Sequence, residues 1–169
     1  SQLSATGTKD STTFLRGDNT FATAGGDMTP AFAATQNSAQ TISTSTWTEL
    51  TNFGREIFDT DNNFASNRFT PTTAGKYYFY ASSFRSSVTA DNYIALSKNG
   101  AVTGTNDNFQ MFRDNGGSIY TIQVSGFFDM NGSTDYVSVF VYHATGSNKD
   151  YGNTNHSYAR FIGYKLIGV

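Results

Sequence analysis

From Met28 onward, apolar and polar residues alternate over short runs, a pattern typical of strands with one face in a core. The clearest runs span residues 75–84, 93–97, 118–128, 136–143 and 159–167. Clusters of Gly, Asn, Asp and Ser separate them and indicate turns. One run is ambiguous, because Trp47, Leu50, Phe53 and Ile57 recur at near-helical spacing, although the Thr-rich flanks favour a strand. The pattern predicts an all-β sandwich or jelly roll.

Some predicted strands carry bulky residues on both faces. In the run 136–143, one face has Val137, Val139 and Val141, and the other has Tyr136, Phe140 and Tyr142. In the last strand, Phe161 and Ile167 oppose Ile162, Tyr164 and Leu166. A plain sandwich buries one face of each strand and leaves the other polar. We therefore expect a neighbouring subunit to cover the second faces.

Composition excludes several classes of partner. The 169-residue chain has a net charge of −2 and no run of Lys or Arg, so we expect no nucleic-acid binding. No apolar run approaches the roughly 18–20 residues of a membrane-spanning helix, so we expect no membrane insertion. The absence of Cys excludes disulfides, thiol catalysis and Cys-ligated zinc.

Residues 1–27 differ from the remainder of the chain. They are rich in Thr, Gly, Ser and Asp, with Phe14, Leu15 and Phe21 as isolated large apolar residues. Such a segment cannot build a core by itself, and residues 24–27 have the composition of a flexible joint. We predict a connector over 1–27 and a head domain over 28–169.

Candidate catalytic groups are sparse, and we expect no enzymatic activity. His143 and His156 are not at a metal-binding spacing, and His143 lies in the valine-rich run, where a structural role is expected. The Gly-x-Ser-x-Gly motif of a nucleophile elbow is absent. Glu49 and Glu56 are the only glutamates, and nothing pairs two carboxylates across a groove as glycoside hydrolysis requires.

A series of motifs in the head resembles the globular heads of complement component one q. Between Glu56 and Ser83 these are Phe58-Asp59, a Phe-Thr-Pro turn at 69–71 and Gly-x-Tyr-x-Phe at 75–79. Residues 31–34 are similar to the family's opening strand, residues 127–141 to its hairpin with Asp135 at the acidic position, and residues 161–167 to its terminal strand. The resemblance implies a ten-stranded antiparallel jelly-roll sandwich, like tumour necrosis factor, assembled as a homotrimer.

The family's collagen-like stalk is absent from this sequence. In its place, residues 7–22, GTKDSTTFLRGDNTFA, resemble a connector segment of bacteriophage tail fibres. The Arg16-Gly17-Asp18 triplet within it is therefore expected to be a turn of a fibre connector and not an integrin ligand. Phe14, Leu15 and Phe21 would then pack against neighbouring chains.

The resemblance also implies where ligands bind. Chains of this fold enter and leave at the base, so alternate loops, roughly 36–46, 59–66, 85–92, 106–117 and 145–157, would lie at the apex. Loops on a rigid scaffold commonly carry binding residues. The predicted ligand-binding residues are Asn92, Asn108, Phe109, Asp114, Asn148, Tyr151, Asn153 and Asn155.

No cofactor is required by the sequence, but calcium is a possible ligand. Some members of the resembled family bind calcium near the trimer apex, and Asp107, Asp114 and Asp150 could supply oxygens. The sequence Asp59-Thr60-Asp61-Asn62-Asn63 begins like a calcium loop. It lacks the Gly and Glu that a helix–loop–helix site requires, and a solvated turn is the commoner explanation.

Three functions remain open. The leading hypothesis is the trimeric receptor-binding tip of a phage tail fibre or similar virion protein, which recognises a host-surface glycan, or alternatively a host-surface protein, through apical loops. The first alternative is a structural cap that trimerises the fibre and binds no ligand. The second is a secreted, lectin-like protein with the complement one q domain. The corresponding locations are the virion surface or the extracellular space.

Overall fold

The computed structural model describes residues 5–11, 13–23, 28–85, 90–102, 108–114, 121–154 and 159–168. These residues form strands and turns and contain no helix. Within the same residues there is consequently no helix long and apolar enough to cross a membrane. The segment 47–57 is also not helical: it contains a short strand, a loop and the start of another strand.

Fifteen strands follow one another in the described residues. They are β1 (Thr13–Leu15), β2 (Phe21–Thr23), β3 (Ala31–Thr35), β4 (Gln40–Ile42), β5 (Thr48–Glu49), β6 (Arg55–Asp59), β7 (Phe64–Ala65), β8 (Arg68–Phe69), β9 (Gly75–Phe84), β10 (Asn92–Lys98), β11 (Phe109–Asp114), β12 (Thr121–Met130), β13 (Val137–His143), β14 (Lys149–Tyr151) and β15 (Arg160–Lys165). The long runs of alternating residues predicted from the sequence are confirmed as β9, β10, β12, β13 and β15.

Two antiparallel sheets form the sandwich. One has the order β12-β9-β15-β3-β6, and the other has the order β11-β10-β13-β8-β7, with β5 also paired to β13. A separate pair, β14-β4, lies beside them. The architecture is the expected all-β, antiparallel jelly roll.

Strand register separates the two ends of the head. We call one end of the strands the apex; it contains Thr35, Asn92, His143 and Arg160. The opposite end, the base, contains Ala31, Val137 and Tyr164. Loop 59–66 follows the base end of β6, where Asp59 pairs with Phe32. The expected apical position of this loop is therefore wrong.

The core is a stack of aromatic and branched side chains between the sheets. Phe32 stacks on Phe69 with ring centroids 4.4 Å apart and meets the edge of Phe161 at 4.8 Å. Val137, Val139 and Val141 point into this core, as predicted from their alternation. Gly163 passes between Phe32 and Phe79, where a Cβ would lie 2.5 Å from the Phe79 ring.

The Arg16-Gly17-Asp18 triplet lies in the turn of the β1–β2 hairpin. The hydroxyl and backbone amide of Thr20 donate to the Asp18 carboxylate at 2.6 and 3.1 Å, which lowers the pKa of Asp18. Arg16 lies 3.8 Å from the same carboxylate. The expectation of a turn is confirmed, while the predicted contacts of this hairpin with neighbouring chains stay a prediction.

Candidate functional site

An aromatic face covers the outer side of the five-stranded sheet. We define it by Phe58, Tyr78, Tyr80, Phe127, Ile162 and Tyr164. Phe127, Tyr78 and Tyr164 are neighbours across three adjacent strands, with ring centroids 5.3 and 5.4 Å apart. Phe127 is 61% exposed and Phe58 is 47% exposed. The other four side chains are half-buried, and an apolar surface of this kind is a candidate interaction surface.

The aromatic face ends at a polar margin towards the base. There, Lys76 and Asp129 pair across β9 and β12 with an Nζ–Oδ1 distance of 2.7 Å. An apolar centre with charged groups at its margin is the usual anatomy of a protein–protein interface.

A second aromatic surface lies on the outer side of the other sheet. Trp47 precedes β5 and lies against Tyr93, Phe109 and Tyr142, with ring centroids 5.8, 5.3 and 5.5 Å away. Together with Asp91, Val102, Met111 and Ala144 these residues line an open depression of about 490 Å³, here called the aromatic groove. Each of its four rings is half-buried, so part of each ring faces solvent.

The groove has a charged margin on its apical side. Arg113 donates from Nη2 to both carboxylate oxygens of Asp91 at 2.9 and 2.8 Å, and this pairing raises the pKa of Arg113. The same guanidinium lies over the Tyr93 ring, 5.7 Å from its centroid. Asp91 is the one charged residue in the described lining of the groove.

A buried polar cluster supports the apical end of the sandwich. It consists of Arg85, Asn92, Asp114, His143 and Tyr151. Arg85 is ion-paired with Asp114, and the Tyr151 hydroxyl donates to the Asn92 side-chain oxygen. The His143 ring stacks on Tyr151 at 6.0 Å, while its nitrogens contact the Ile42 carbonyl at 3.1 Å and the Thr145 hydroxyl at 3.0 Å. The buried His143 ring is therefore held by contacts within the protein, in agreement with the structural role expected from the sequence.

The architecture is similar to that of solved structures. Murine APRIL aligns with a TM-score of 0.56 at 12% identity, over 80% of this chain and 98% of that one. Eiger TNF from S. frugiperda aligns with a TM-score of 0.57 at 9% identity, over 80% and 91% of the two chains. The chain has the tumour-necrosis-factor-like jelly-roll fold. It matches no family model and no curated protein.

Three of the predicted site residues lie at the apical end as expected, but two are buried and the third is ion-paired. In this tumour-necrosis-factor-like head, Tyr151 is fully buried, so the expected exposed ring for stacking on a sugar is wrong. The reason is that β14 pairs with β4 and turns the ring inward, against His143. The Asn92 side chain is also fully buried, and the Asp114 carboxylate is ion-paired with Arg85.

The remaining predicted residues divide between three positions. Asn148 is exposed and Asn153 is half-buried in the apical segment around β14. Asn108 and Phe109 lie at the basal end of β11, because Phe109 pairs with Ser97, and their expected apical position is wrong. Phe109 instead belongs to the aromatic groove. Asn155 lies outside the described residues.

The described part of the tumour-necrosis-factor-like head contains no group of three or more His, Cys, Asp or Glu residues that could hold a metal ion. Asp150 accepts a hydrogen bond from the Thr41 hydroxyl at 2.7 Å, and Asp114 pairs with Arg85. Asp107 lies outside the described residues. Calcium binding stays a prediction.

Sequence reasoning missed most of the aromatic groove. Trp47, Tyr93 and Tyr142 were not predicted as site residues, although the apolar second face of the run 136–143 was a signal for Tyr142. That face was expected to be covered by a neighbouring subunit. Within the chain it is partly covered by Trp47 beside Tyr142, and by Arg68 over the Tyr136 ring at 4.5 Å.

Proposed function

We propose that the chain is a non-enzymatic, homotrimeric receptor-binding head, the tip of a phage tail fibre or a similar virion-surface protein. The observation that carries this proposal is the aromatic face. It exposes rings that a monomer would leave in water, on a sheet whose outer side the described residues leave uncovered. Association in threes would remove these rings from water, and burial of apolar area favours it.

The viral assignment is supported by the resemblance of residues 7–22 to a fibre connector and by the exposed hairpin residues. Phe14 is 48% exposed and Leu15 is 40% exposed, as expected for side chains that pack against other chains of a fibre. The receptor is proposed to be a host-surface glycan. Asn148 and Asn153 at the apex are the predicted residues that could donate and accept hydrogen bonds with it.

The assembly is tested by light scattering of the purified 169-residue protein. We expect a mass three times the 18.4 kDa of the chain. Phe127→Glu places a charge in the centre of the aromatic face and should dissociate the trimer. Thr46→Glu adds the same charge at an exposed position on the other sheet's side and should leave the mass unchanged. A monomeric wild-type protein would overturn the proposal.

Receptor binding is tested by competition. The trimeric head should block adsorption of particles that carry the full fibre, and Phe127→Glu should block it less because three linked sites bind more tightly than one. A trimer that does not compete for adsorption would favour the structural cap, which the same aromatic face supports.

A further inference from the structure

We propose that the aromatic groove is a binding site for a neutral pyranose ring of a saccharide. The site is on the side of the head, separate from Asn148 and Asn153 at the apex. Its use in host attachment rests on the proposed receptor-binding function, but the binding itself does not.

The first support is the arrangement of the rings. Trp47 is at the centre, with Tyr93 and Tyr142 tilted against it and Phe109 edge-on at an interplanar angle of 84°. These rings present partly exposed π faces, whose negative charge density attracts the slightly positive C–H groups on one side of a pyranose. An arrangement that already exists in the free protein requires little ordering when a ligand binds.

The second support is the combination of apolar floor and polar margin. A sugar has an apolar C–H face and a rim of hydroxyls, and the groove has rings beside the Asp91 carboxylate. That carboxylate is held in place by two hydrogen bonds from Arg113, and it retains lone pairs that can accept from sugar hydroxyls. The groove volume of about 490 Å³ falls within the roughly 300–1,000 Å³ of small-ligand sites.

Charge decides between classes of ring-shaped ligand. Asp91 is the one charged residue of the described lining, and the Arg113 guanidinium at the margin is already bound to its carboxylate. The described part of the groove therefore offers no unpaired cation to a negatively charged sugar or a nucleotide, and a neutral sugar is favoured. The groove lies on the outer side of the six-stranded sheet, whereas the aromatic face proposed for assembly lies on the outer side of the five-stranded sheet.

Trp47 is the single tryptophan of the chain, so its fluorescence reports on the groove directly. The probes are methyl β-D-galactopyranoside and methyl β-D-glucopyranoside, titrated into the full 169-residue protein. We expect a saturable change in emission with at least one of them, with a dissociation constant on the order of 1 mM for a single weak site. The bound sugar should also protect Trp47 from quenching by acrylamide, a measurement that needs no variant.

Two control ligands test the stated chemistry. Galactitol has the hydroxyls of galactose but no ring face, and N-acetylneuraminic acid carries a negative charge. Neither should change the emission of Trp47 at concentrations at which the neutral pyranoside saturates the groove. An equal response to galactitol, or no response to either pyranoside, would overturn the proposal.

Variants locate the site. Phe109→Ala and Tyr93→Ala should each weaken pyranoside binding by roughly tenfold, as for removal of one important aromatic contact. Tyr136→Ala removes a ring outside the groove and should bind as the wild type does. Circular dichroism and the mass of each variant show whether it is folded. If the alanine variants do not fold, Asp91→Asn, which keeps the shape of the margin, should still bind more weakly.

The two proposals fail in different ways. A trimer that competes for adsorption but shows no pyranoside-dependent change in Trp47 fluorescence would overturn the groove site and leave the receptor-binding function standing. A monomer whose Trp47 fluorescence responds to the pyranoside would overturn the trimeric receptor-binding head and leave the groove site standing. Unchanged pyranoside binding by folded Phe109→Ala and Tyr93→Ala would place the sugar elsewhere.

Discussion

The hydroxyl of Tyr151 donates a hydrogen bond to the side-chain oxygen of Asn92, and both residues are fully buried. The bond joins β14 to the apical end of β10, so two segments far apart in the sequence are held together beneath the apical loops. Burial raises the pKa of Tyr151, and Arg85 opposes this only partly, so the phenol remains a hydrogen-bond donor at neutral pH.

Tyr151→Phe should lower the free energy of unfolding by about 1–3 kcal/mol, because the Asn92 oxygen then loses its donor while it remains buried. Urea denaturation at a fixed protein concentration measures the change. Tyr136→Phe is the matched control, since the Tyr136 hydroxyl has no hydrogen bond to any described residue, and it should alter the stability by less than about 0.5 kcal/mol. Equal effects of the two variants would contradict the buried bond.

Asp135 should make stability depend on acid pH. Burial by itself would raise the pKa of Asp135, but hydrogen bonds from Lys98 Nζ at 2.8 Å, Asn99 Nδ2 at 2.8 Å and Asn131 N at 2.9 Å outweigh it and lower the pKa. The contribution is therefore complete above the unfolded-state pKa, about 3.9, and is lost as the pH falls through the lower folded-state value.

The check is urea denaturation of the wild type and Asp135→Asn from pH 7 down to pH 2. At pH 7 the variant should be less stable by about 2 kcal/mol, since it loses a charged hydrogen-bond acceptor. The difference should shrink as the wild-type carboxylate becomes protonated. Asp129→Asn changes an exposed carboxylate that pairs with Lys76, and it should have little effect at any pH. A constant difference between wild type and Asp135→Asn would argue against this titration.

Gly163→Ala should destabilise the head by about 1–3 kcal/mol, because the added methyl group has no room in the core. Its Cβ would lie 2.5 Å from the Phe79 ring and 2.7 Å from the Phe32 ring. Thermal unfolding measures the loss. Gly17→Ala adds the same methyl group where no atom lies within 4 Å, and its unfolding midpoint should stay near that of the wild type.

Arg68→Lys should reduce stability by about 1 kcal/mol, although the charge is retained. The guanidinium donates to both Glu49 carboxylate oxygens at 2.8 Å and lies over the Tyr136 ring, and an ammonium group cannot make both contacts in this way. Arg55→Lys changes an exposed arginine and should be neutral in the same urea denaturation assay. Equal stability of Arg68→Lys and the wild type would show that the paired geometry contributes nothing.

Local alternation was sufficient to predict the five long strands β9, β10, β12, β13 and β15. Val137, Val139 and Val141 were assigned to one face from their spacing, and all three are in the core, because side chains of a strand alternate strictly between its faces. The spacing of Trp47, Leu50, Phe53 and Ile57 was ambiguous, and the Thr-rich flanks favoured a strand, which is confirmed at β5 and β6. A bulge in the pairing of β6 with β3 leaves Ile57 without a partner residue in that pair.

The sequence by itself determined the long strands, and with them the all-β class, and the turn at Arg16-Gly17-Asp18, since these depend on residues close in the chain. Only the tertiary structure decided that Tyr151 is buried and that Phe109 meets Trp47. Both facts depend on pairing between strands that are distant in the chain: β14 pairs with β4, and β5, which follows Trp47, pairs with β13 in the sheet that contains β11. A shift of such pairing by one residue would exchange the side chains that face the core with those that face solvent. The amino-acid composition does not determine which register is adopted.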